Sequence, residues 1–522
     1  MVILCMVFLK TGAQSRDNSK YVFKAYPHAK GTVVGASPQQ IGKLTSEKIT
    51  KFFKKYPLLA SVKNPLDSFY RHRQYAFAWF DAQGLNEQAA GLYNHIQNIG
   101  SDGLTNTLPY QPEFDALLQK DKLDDANPEA EIMLTAQYFA YAKHVWTGLE
   151  SKETKDLNWY LPRKKIGYER LLDSFIKGKN ILNNPPVYRQ YSLLKNQLEK
   201  YRNIKSSGGF PLVSTGKKSY KAGDSATAIV ALRKWLFVSG DLSANSGSNI
   251  FDESFLVAVK KFQNRVGLTG DGIIAAASVK EMNVSVEARM MQIMVNMERS
   301  RWVPVSVAAD YLVINIPEYK LHAYEQGKLL WSMHAVVGKP LHKTVIFTGD
   351  IKYVVFSPYW NVPESILHKE ILPGIRRNKN YLANHHMEWD GNKVRQKSGP
   401  DNSLGLVKFL FPNSYDIYLH DTPAKSLFSE TNRAFSHGCI RLSDAKGLAV
   451  YLLKNNSAWT PAKITAAMNA GKEQYVTLKK KESIFIVYFT AWVDEQGQLN
   501  FRRDLYNRDA RLAELIMDNT AK

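Results

Sequence analysis

"AFSHGCIRLSDA", residues 434–445, decides how the rest of the chain is read. It holds Cys439, one of only two cysteines in 522 residues. His437 stands two places before the thiol and Gly438 one place before it. The overlapping stretch "SDAKGLAVYLL" (443–453) reads as a helix with Ser443 as its N-cap. Upstream, "SYDIYLHDT" (414–422) reads as a strand ending at His420. A strand end and a loop leading into a helix bring an imidazole and a thiol to one rim of a β domain.

A thiol of ordinary pKa, about 8.5, is mostly neutral at pH 7 and needs a base or a positive environment to act as a nucleophile. His420 and His437 are the histidines near Cys439 in sequence. A base also needs its tautomer fixed, and Asp421 offers either its carboxylate or its backbone carbonyl. Acyl transfer requires donors for a developing oxyanion, which the consecutive N–H groups of His437, Gly438 and Cys439 can supply across a glycine-permitted turn. Arg441 can hold a substrate carboxylate through its bidentate fork. Three other readings compete: a zinc site built on His420, His437 and Cys439, which lacks the second cysteine a structural site favours; a buried, inert thiol; and histidines that are ordinary hydrogen-bonding surface residues.

Outward from this stretch the pattern is that of strands. "DYLVINIP" (310–317), "YKLHAYEQGKLLWSMHAVVG" (319–338) and "DIKYVVFSPYW" (350–360) are rich in β-branched and aromatic residues, the second turning at Gln326-Gly327. "ESIFIVYFTAWVDEQGQLNFRRDLY" (482–506) reads as another hairpin. A polar stretch over 364–405, with helix-compatible pieces, interrupts the pattern and reads as an insertion over a mainly β domain spanning 305–508. His385 and His386 lie in that insertion and receive no catalytic role.

Before the β domain, residues 219–284 predict a small three-helix unit. Ile229, Leu232, Trp235 and Leu236 share one helical face, as do Phe255, Val259 and Phe262. Gly267 and Gly272 supply backbone angles closed to other residues, and Asp271 caps a helix or satisfies turn amides. Residues 20–210 read as helical, with "EIMLTAQYFAYAKHVWTGL" (131–149) and "VYRQYSLLKNQLEKYRNI" (187–204) at helical spacing. The Gly, Ser and Lys-rich segment 205–225 reads as a boundary. "MVILCMVFLKTGAQS" predicts a signal peptide over 1–14, cleaved near Ala13, from a start that is itself open; Cys5 lacks the small residues that lipidation requires before it. Export leaves one thiol and so no internal disulfide.

The net charge of +21, from 69 Lys and Arg against 48 Asp and Glu, suits an acidic polymer, and the basic residues are scattered rather than gathered in a nucleic-acid-binding module. No run reaches the length of a membrane span.

"HDTPAKSLFSETNRAFSHGCIRL" (420–442) resembles the active-site signature of the L,D-transpeptidases, in which a histidine shortly precedes a Ser-His-Gly-Cys core. "YVVFSPYWNVPESI" (353–366), "RQKSGPDNSLGLVKFLFPNSYDIYLHDTP" (395–423) and "LTAQYFAYAKHVWTG" (134–148) are similar to the large, exported branch of that family, and "FQNRVGLTGDGII" (262–274) resembles the peptidoglycan-binding three-helix domain. Where the family often has Asn two places after the cysteine, Arg441 stands.

The resemblance implies a multidomain chain: an α-helical N-terminal scaffold, a three-helix peptidoglycan-binding domain, and a mainly β catalytic domain whose 364–405 insertion caps it. It implies that Cys439 attacks the third residue of a tetrapeptide stem, releases D-alanine and passes the acyl group to a neighbouring stem as a 3→3 cross-link, outside the cytoplasm and peripheral or tethered to the envelope. His420 is then the catalytic histidine, oriented by the Asp421 carbonyl. A ring two positions from the nucleophile in a tight loop is often unable to reach the sulfur, so His437 contributes its amide and a substrate contact. Ser436 and Arg441 are expected at the substrate, and Tyr359 and Trp360 either floor its groove or pack in a core. No cofactor or metal is implied, and carbapenems are expected to acylate Cys439. Transfer to water or exchange of the terminal D-amino acid uses the same site, and a non-catalytic wall-binding scaffold is the alternative of another class.

Overall fold

The computed structural model describes residues 42–518, apart from 82–83, 105–106, 119–126, 153, 215 and 305–309. The expected signal segment, with Cys5, lies outside the described residues. The chain divides into two compact units: one gathers residues up to 100 with 106–143 and 167–185, the other 101–105, 144–166 and everything from 186 onward.

The first unit is helical. At its centre is Pro128–Ala142, started by the Asn127 side chain, which accepts from the backbone of Glu129 and Ala130. Apolar residues cover this helix on all sides and nearly all of it is buried, as an all-round hydrophobic helix must be. Its one buried acid, Glu131, accepts from Tyr70 Oη (2.7 Å) and from the amides of Ala78 (2.6 Å) and Trp79 (3.0 Å). Burial lifts its pKa to about 7 against the pull of those donors.

The second unit begins earlier than the expected scaffold boundary at 210. Helix Gln190–Ser206 turns Tyr191, Leu194, Leu198 and Tyr201 inward and packs on Val286–Trp302, a helix that no domain expected from the sequence includes. That second helix carries buried charge. Glu298 pairs with Arg301 at 2.6 Å and accepts from Leu149 N (2.6 Å) and Trp302 Nε1 (3.0 Å), so its polar residues face inward and hide the helical stripe from sequence.

Residues 219–284 do form three short helices, Thr227–Ser239, Glu253–Arg265 and Ala276–Met282, on one core of Ile229, Leu232, Trp235, Leu236, Phe255, Val259 and Phe262. Gly267 and Gly272 sit at φ +77° and +78°, and Asp271 accepts the Ile273 turn amide at 2.8 Å.

The β domain is a closed sheet. In order, its strands are Ala434–Ser436, Lys328–Gly338, Ile440–Leu442, Leu419–His420, Val407–Leu410, Thr348–Phe356, Gln474–Val487, Tyr311–Asn315 and Lys320–Glu325, and the last pairs back onto Lys328–Gly338. Closure removes the exposed edges that an open sheet carries. Lys320–Glu325 and Lys328–Gly338 are joined at Gln326-Gly327, both at positive φ, which is the two-residue hairpin expected there. The other expected hairpin is split. Its first part belongs to the long strand Gln474–Val487, and only Ala491–Val493 and Leu499–Phe501 pair with each other. Alternate residues point into one core: Leu312 and Ile314, Val354 and Phe356, Val407 and Phe409, Leu419, Ile440 and Leu442, Ile484 and Ile486.

The insertion starts at Trp360 rather than 364. Trp360–Asn361, Lys393–Gln396 and Met387–Asp390 form a three-stranded sheet over short helical segments between Glu364 and Asn384. It has its own small core of Val362, Leu367, Ile371, Met387 and Val394. The helix after the cysteine loop is Ala445–Leu453, and its N-cap is Asp444, accepting from Gly447 N at 2.8 Å, rather than Ser443, whose N–H is spent on His334 O. Among the described residues no helix is long and apolar enough to cross a membrane.

Candidate active site

Strand period places the site. Leu419 and Ile440 point into the core and are partners in a parallel pair, in which His420 is the partner of Arg441. Side chains alternate along a strand, so His420 and Arg441 share the opposite face; Tyr418, whose carbonyl accepts Ile440 N at 3.1 Å, and Cys439 stand immediately before these two strands. Arg441 acts on both His420 and Cys439, and Tyr418 hydrogen-bonds the thiol as a fourth member that sequence reasoning missed. The signal was present: Tyr418 lies two residues before His420 in the stretch that reads as a strand in the sequence.

His420 is buried, and its Nδ1 is 2.6 Å from the Asp421 carbonyl. An Nδ1–H donated there leaves Nε2 as the acceptor, the tautomer a base requires. Burial, then the charge of Arg441, pushes the imidazole pKa down to about 3 against the pull of the Asp421 and Leu404 carbonyls. The Asp421 carboxylate does a different job. It accepts Leu406 N at 3.0 Å and pairs with Lys425 at 2.6 Å, fixing the turn after the strand.

Cys439 is partly exposed, and its Sγ donates to the Asp416 carbonyl at 3.5 Å. No hydrogen bond from sulfur to imidazole is among the described ones. Burial pushes the thiol pKa up, while hydrogen bonds from Tyr418 and the charge of Arg441 pull it down. Arg441 has no ion-pair partner among the described residues, and its buried Nε has no hydrogen-bond acceptor. A desolvated guanidinium beside a thiol favours the thiolate and is available to a carboxylate. The resting site is thus a neutral thiol, a neutral imidazole and an unspent positive charge.

The loop before the cysteine is braced from within. Gly438 is at φ +124°, open to glycine and rarely to other residues. Its N–H donates to Ser436 Oγ (3.1 Å), and its carbonyl accepts from Thr344 Oγ1 (2.8 Å). This corrects two expectations. The Gly438 amide is spent inside the loop, so of the three amides proposed for an oxyanion those of His437 and Cys439 remain. Ser436 is buried, with its hydroxyl donating to Cys439 O, so it shapes the loop instead of facing a substrate. Thr344 also accepts Gly338 N at 2.9 Å, and nothing in the sequence tied it to a loop 94 residues away.

His437 turns away from the sulfur. Its Nε2 is 3.0 Å from Glu370 Oε1 in the insertion, and its ring lies 4.8 Å from that of His342. Its pKa is lowered, mainly by burial, although Glu370 opposes the shift. Tyr359 lies under the Arg395 guanidinium at 4.6 Å and Trp360 packs on the core of the insertion, and both side chains stay partly exposed. His385 and His386 bond locally to Tyr381 O and Asp401. Among the described residues no group of His, Cys, Asp and Glu is gathered as a metal-ligand set.

A closed, mainly β domain presenting a cysteine, a carbonyl-oriented histidine and two loop amides defines the class of protein. Residues 309–464 match the L,D-transpeptidase catalytic domain and residues 64–198 the family described as "Scaffold domain", so the chain carries a catalytic domain of the L,D-transpeptidase family. A Haemophilus influenzae protein named "Putative L,D-transpeptidase" is 30% identical over 322 residues, covering 55% of this chain and 64% of that protein. Less than two thirds of that relative is thus spanned. Among solved structures, the L,D-transpeptidase from Mycobacterium smegmatis is 18% identical with a TM-score of 0.19, over 34% of this chain and 59% of the other. The L,D-transpeptidase from Stackebrandtia nassauensis is 13% identical with a TM-score of 0.24, over 52% and 97%.

Proposed function

We propose that the protein is a cysteine L,D-transpeptidase that forms 3→3 cross-links between peptidoglycan stems outside the cytoplasm. The observation that carries this reading is Arg441, paired with His420 across two parallel strands and acting on the Cys439 thiol, with His420 Nδ1 held by the Asp421 carbonyl. The low imidazole pKa and the raised thiol pKa both oppose a thiolate–imidazolium pair at rest, so proton transfer accompanies attack. For attack the sulfur leaves the Asp416 carbonyl and turns toward the imidazole.

Sulfur then attacks the carbonyl of the third stem residue while its proton passes to His420 Nε2. The oxyanion lies against the His437 and Cys439 amides, a pair of donors each worth on the order of 3 kcal/mol of barrier. Collapse breaks the amide bond, and D-alanine leaves as the amine with the proton returned by His420. The side-chain amine of a second stem attacks the thioester, gives its proton to His420 and restores the thiol. Arg441 holds a stem carboxylate. The insertion, anchored to the loop by Glu370 and His437, limits water at the thioester and so favours an amine over hydrolysis. No cofactor enters this sequence.

Product analysis tests the proposal. Incubation with purified tetrapeptide-bearing muropeptides is expected to give cross-linked dimers and free D-alanine, with nothing from Cys439→Ala. Tripeptides alone would make the enzyme a carboxypeptidase, and exchanged D-amino acids would make it an exchange enzyme. No product from the intact chain would leave a wall-binding scaffold. Carbapenems, whose strained amide presents the same carbonyl chemistry, are expected to acylate Cys439.

A further inference from the structure

A cavity of about 1060 Å³ opens between the three-helix unit and the closed sheet, and neither Cys439 nor His420 lines it. Asn264 and Thr269 stand on one wall, Tyr319, Trp492, Arg433 and Arg502 on the other. Its volume suits a ligand of several residues or sugars rather than a single ion.

The two arginines set its chemistry. Arg433 donates to the Glu430 carbonyl at 2.8 Å, its Nε is buried without an acceptor, and its guanidinium stands 5.4 Å from the Tyr319 ring centre. Arg502 donates to the carbonyls of Arg265 (3.0 Å) and Phe501 (2.8 Å) and stands 4.9 Å from the Trp492 ring centre. Neither has an ion-pair partner among the described residues. Of the four acids that line the cavity, Glu318 pairs with His322 at 2.9 Å and Lys320 at 3.7 Å, Glu495 pairs with Arg189, Asp494 accepts from the amides of Gln496 (3.0 Å) and Gln498 (2.9 Å), and Glu430 is the fourth. Two part-buried guanidiniums that find only carbonyls leave N–H groups and positive charge to be met by something else. A carboxylate meets both with bidentate geometry. The rest of the wall mixes charged side chains with hydroxyls, amides and aromatic faces, and the uncharged part suits a polymer that is rich in hydroxyls and amides.

We propose that this cavity is a second binding site for a carboxylate-bearing stem peptide together with the sugar that carries it, held by Arg433 and Arg502. The proposal rests on the reading of the chain as an enzyme of the wall polymer, and it gives the three-helix unit a shared surface with the catalytic domain. The wall segment from Phe428 to Arg433 runs straight into Ala434–Ser436 and the cysteine loop. A strand anchored in the cavity is therefore kept beside the nucleophile while successive stems are processed.

Hydrogen exchange on the full chain carrying Cys439→Ala, with a purified uncross-linked disaccharide-tetrapeptide as probe, tests it. Exchange is expected to slow in 264–269, 428–433 and 492–502 as well as in 418–420 and 437–441. Adding Arg433→Gln is expected to raise the half-saturating concentration for the first set at least tenfold while the second set keeps its own, with Arg433→Lys in between. The same probe with its carboxylates amidated, an arm that needs no variant, is expected to protect only the second set. Protection confined to the cysteine region, or equal protection in Arg433→Gln, or from the amidated probe, or from neutral chitotetraose, would overturn the proposal. Protection at 264–269 in the Cys439→Ala chain, together with no product from the chain that keeps Cys439, would remove the transpeptidase reading while the binding site remained.

Discussion

Cys439 is held as a thiol by burial, and what draws it toward the thiolate is local: the Arg441 charge and hydrogen bonds from Tyr418. A hydrogen bond to a charged group contributes roughly 1.5–3 kcal/mol. Tyr418→Phe is therefore expected to raise the thiol pKa by about one unit, since one unit is about 1.4 kcal/mol. The pH profile of iodoacetamide alkylation reads this directly, and an unshifted profile would remove Tyr418 from the site. At this scale much was legible. Residue type and spacing single out Cys439, the two histidines, Asp421 and Arg441, whereas the choice of His420 over His437 and of the Asp421 carbonyl over its carboxylate comes from the family resemblance. The parts that were not legible depend on which way a small group turns: the Gly438 amide and the Ser436 hydroxyl both point into the loop. Spacing carries no information about that direction.

Elements hold the loop in place. Thr344, in the connection after Lys328–Gly338, links Gly338 N to the Gly438 carbonyl through one hydroxyl. Thr344→Val keeps the shape and loses both bonds. It is expected to destabilise the domain by about 1–3 kcal/mol and to slow carbapenem acylation more than a global loss of folded protein explains. Acylation rate measured against melting temperature separates the two effects, and a rate that merely tracks stability would deny the loop a positioning role. The Gln326-Gly327 hairpin, the three-helix unit and the existence of the insertion were readable because turn residues and period-specific apolar patterns encode them. Sheet closure was not, because pairing of Lys320–Glu325 with Lys328–Gly338 is local whereas the pairing of Gln474–Val487 with Tyr311–Asn315 joins segments far apart in sequence. Helix Val286–Trp302 escaped because Glu298, Arg299 and Arg301 lie on its buried side.

Across the second unit, stability inherits the titration of His420. Its pKa of about 3 lies below the 6.5 of an unfolded histidine, so the unfolded chain binds more protons between those values. The contribution is complete above pH 6.5 and is lost as pH falls toward 3, by up to about 1.4 kcal/mol per unit. Hydrogen exchange of the β-sheet amides between pH 7 and 5 is expected to show this loss, and His420→Gln to flatten it; an unchanged slope would mean the ring is not buried as described. The unit boundary was only partly legible, because helix Gln190–Ser206 has the same helical pattern whichever unit it joins, and its partner helix had gone unread. What the whole arrangement is built around is a reactive Cys439 served by His420. Intact and peptide-level mass spectrometry after incubation with a carbapenem tests that most directly. The account predicts one adduct on Cys439, formed in His437→Ala but slowed at least a hundredfold in His420→Ala. An unmodified, folded protein, or a greater loss in His437→Ala than in His420→Ala, would contradict it.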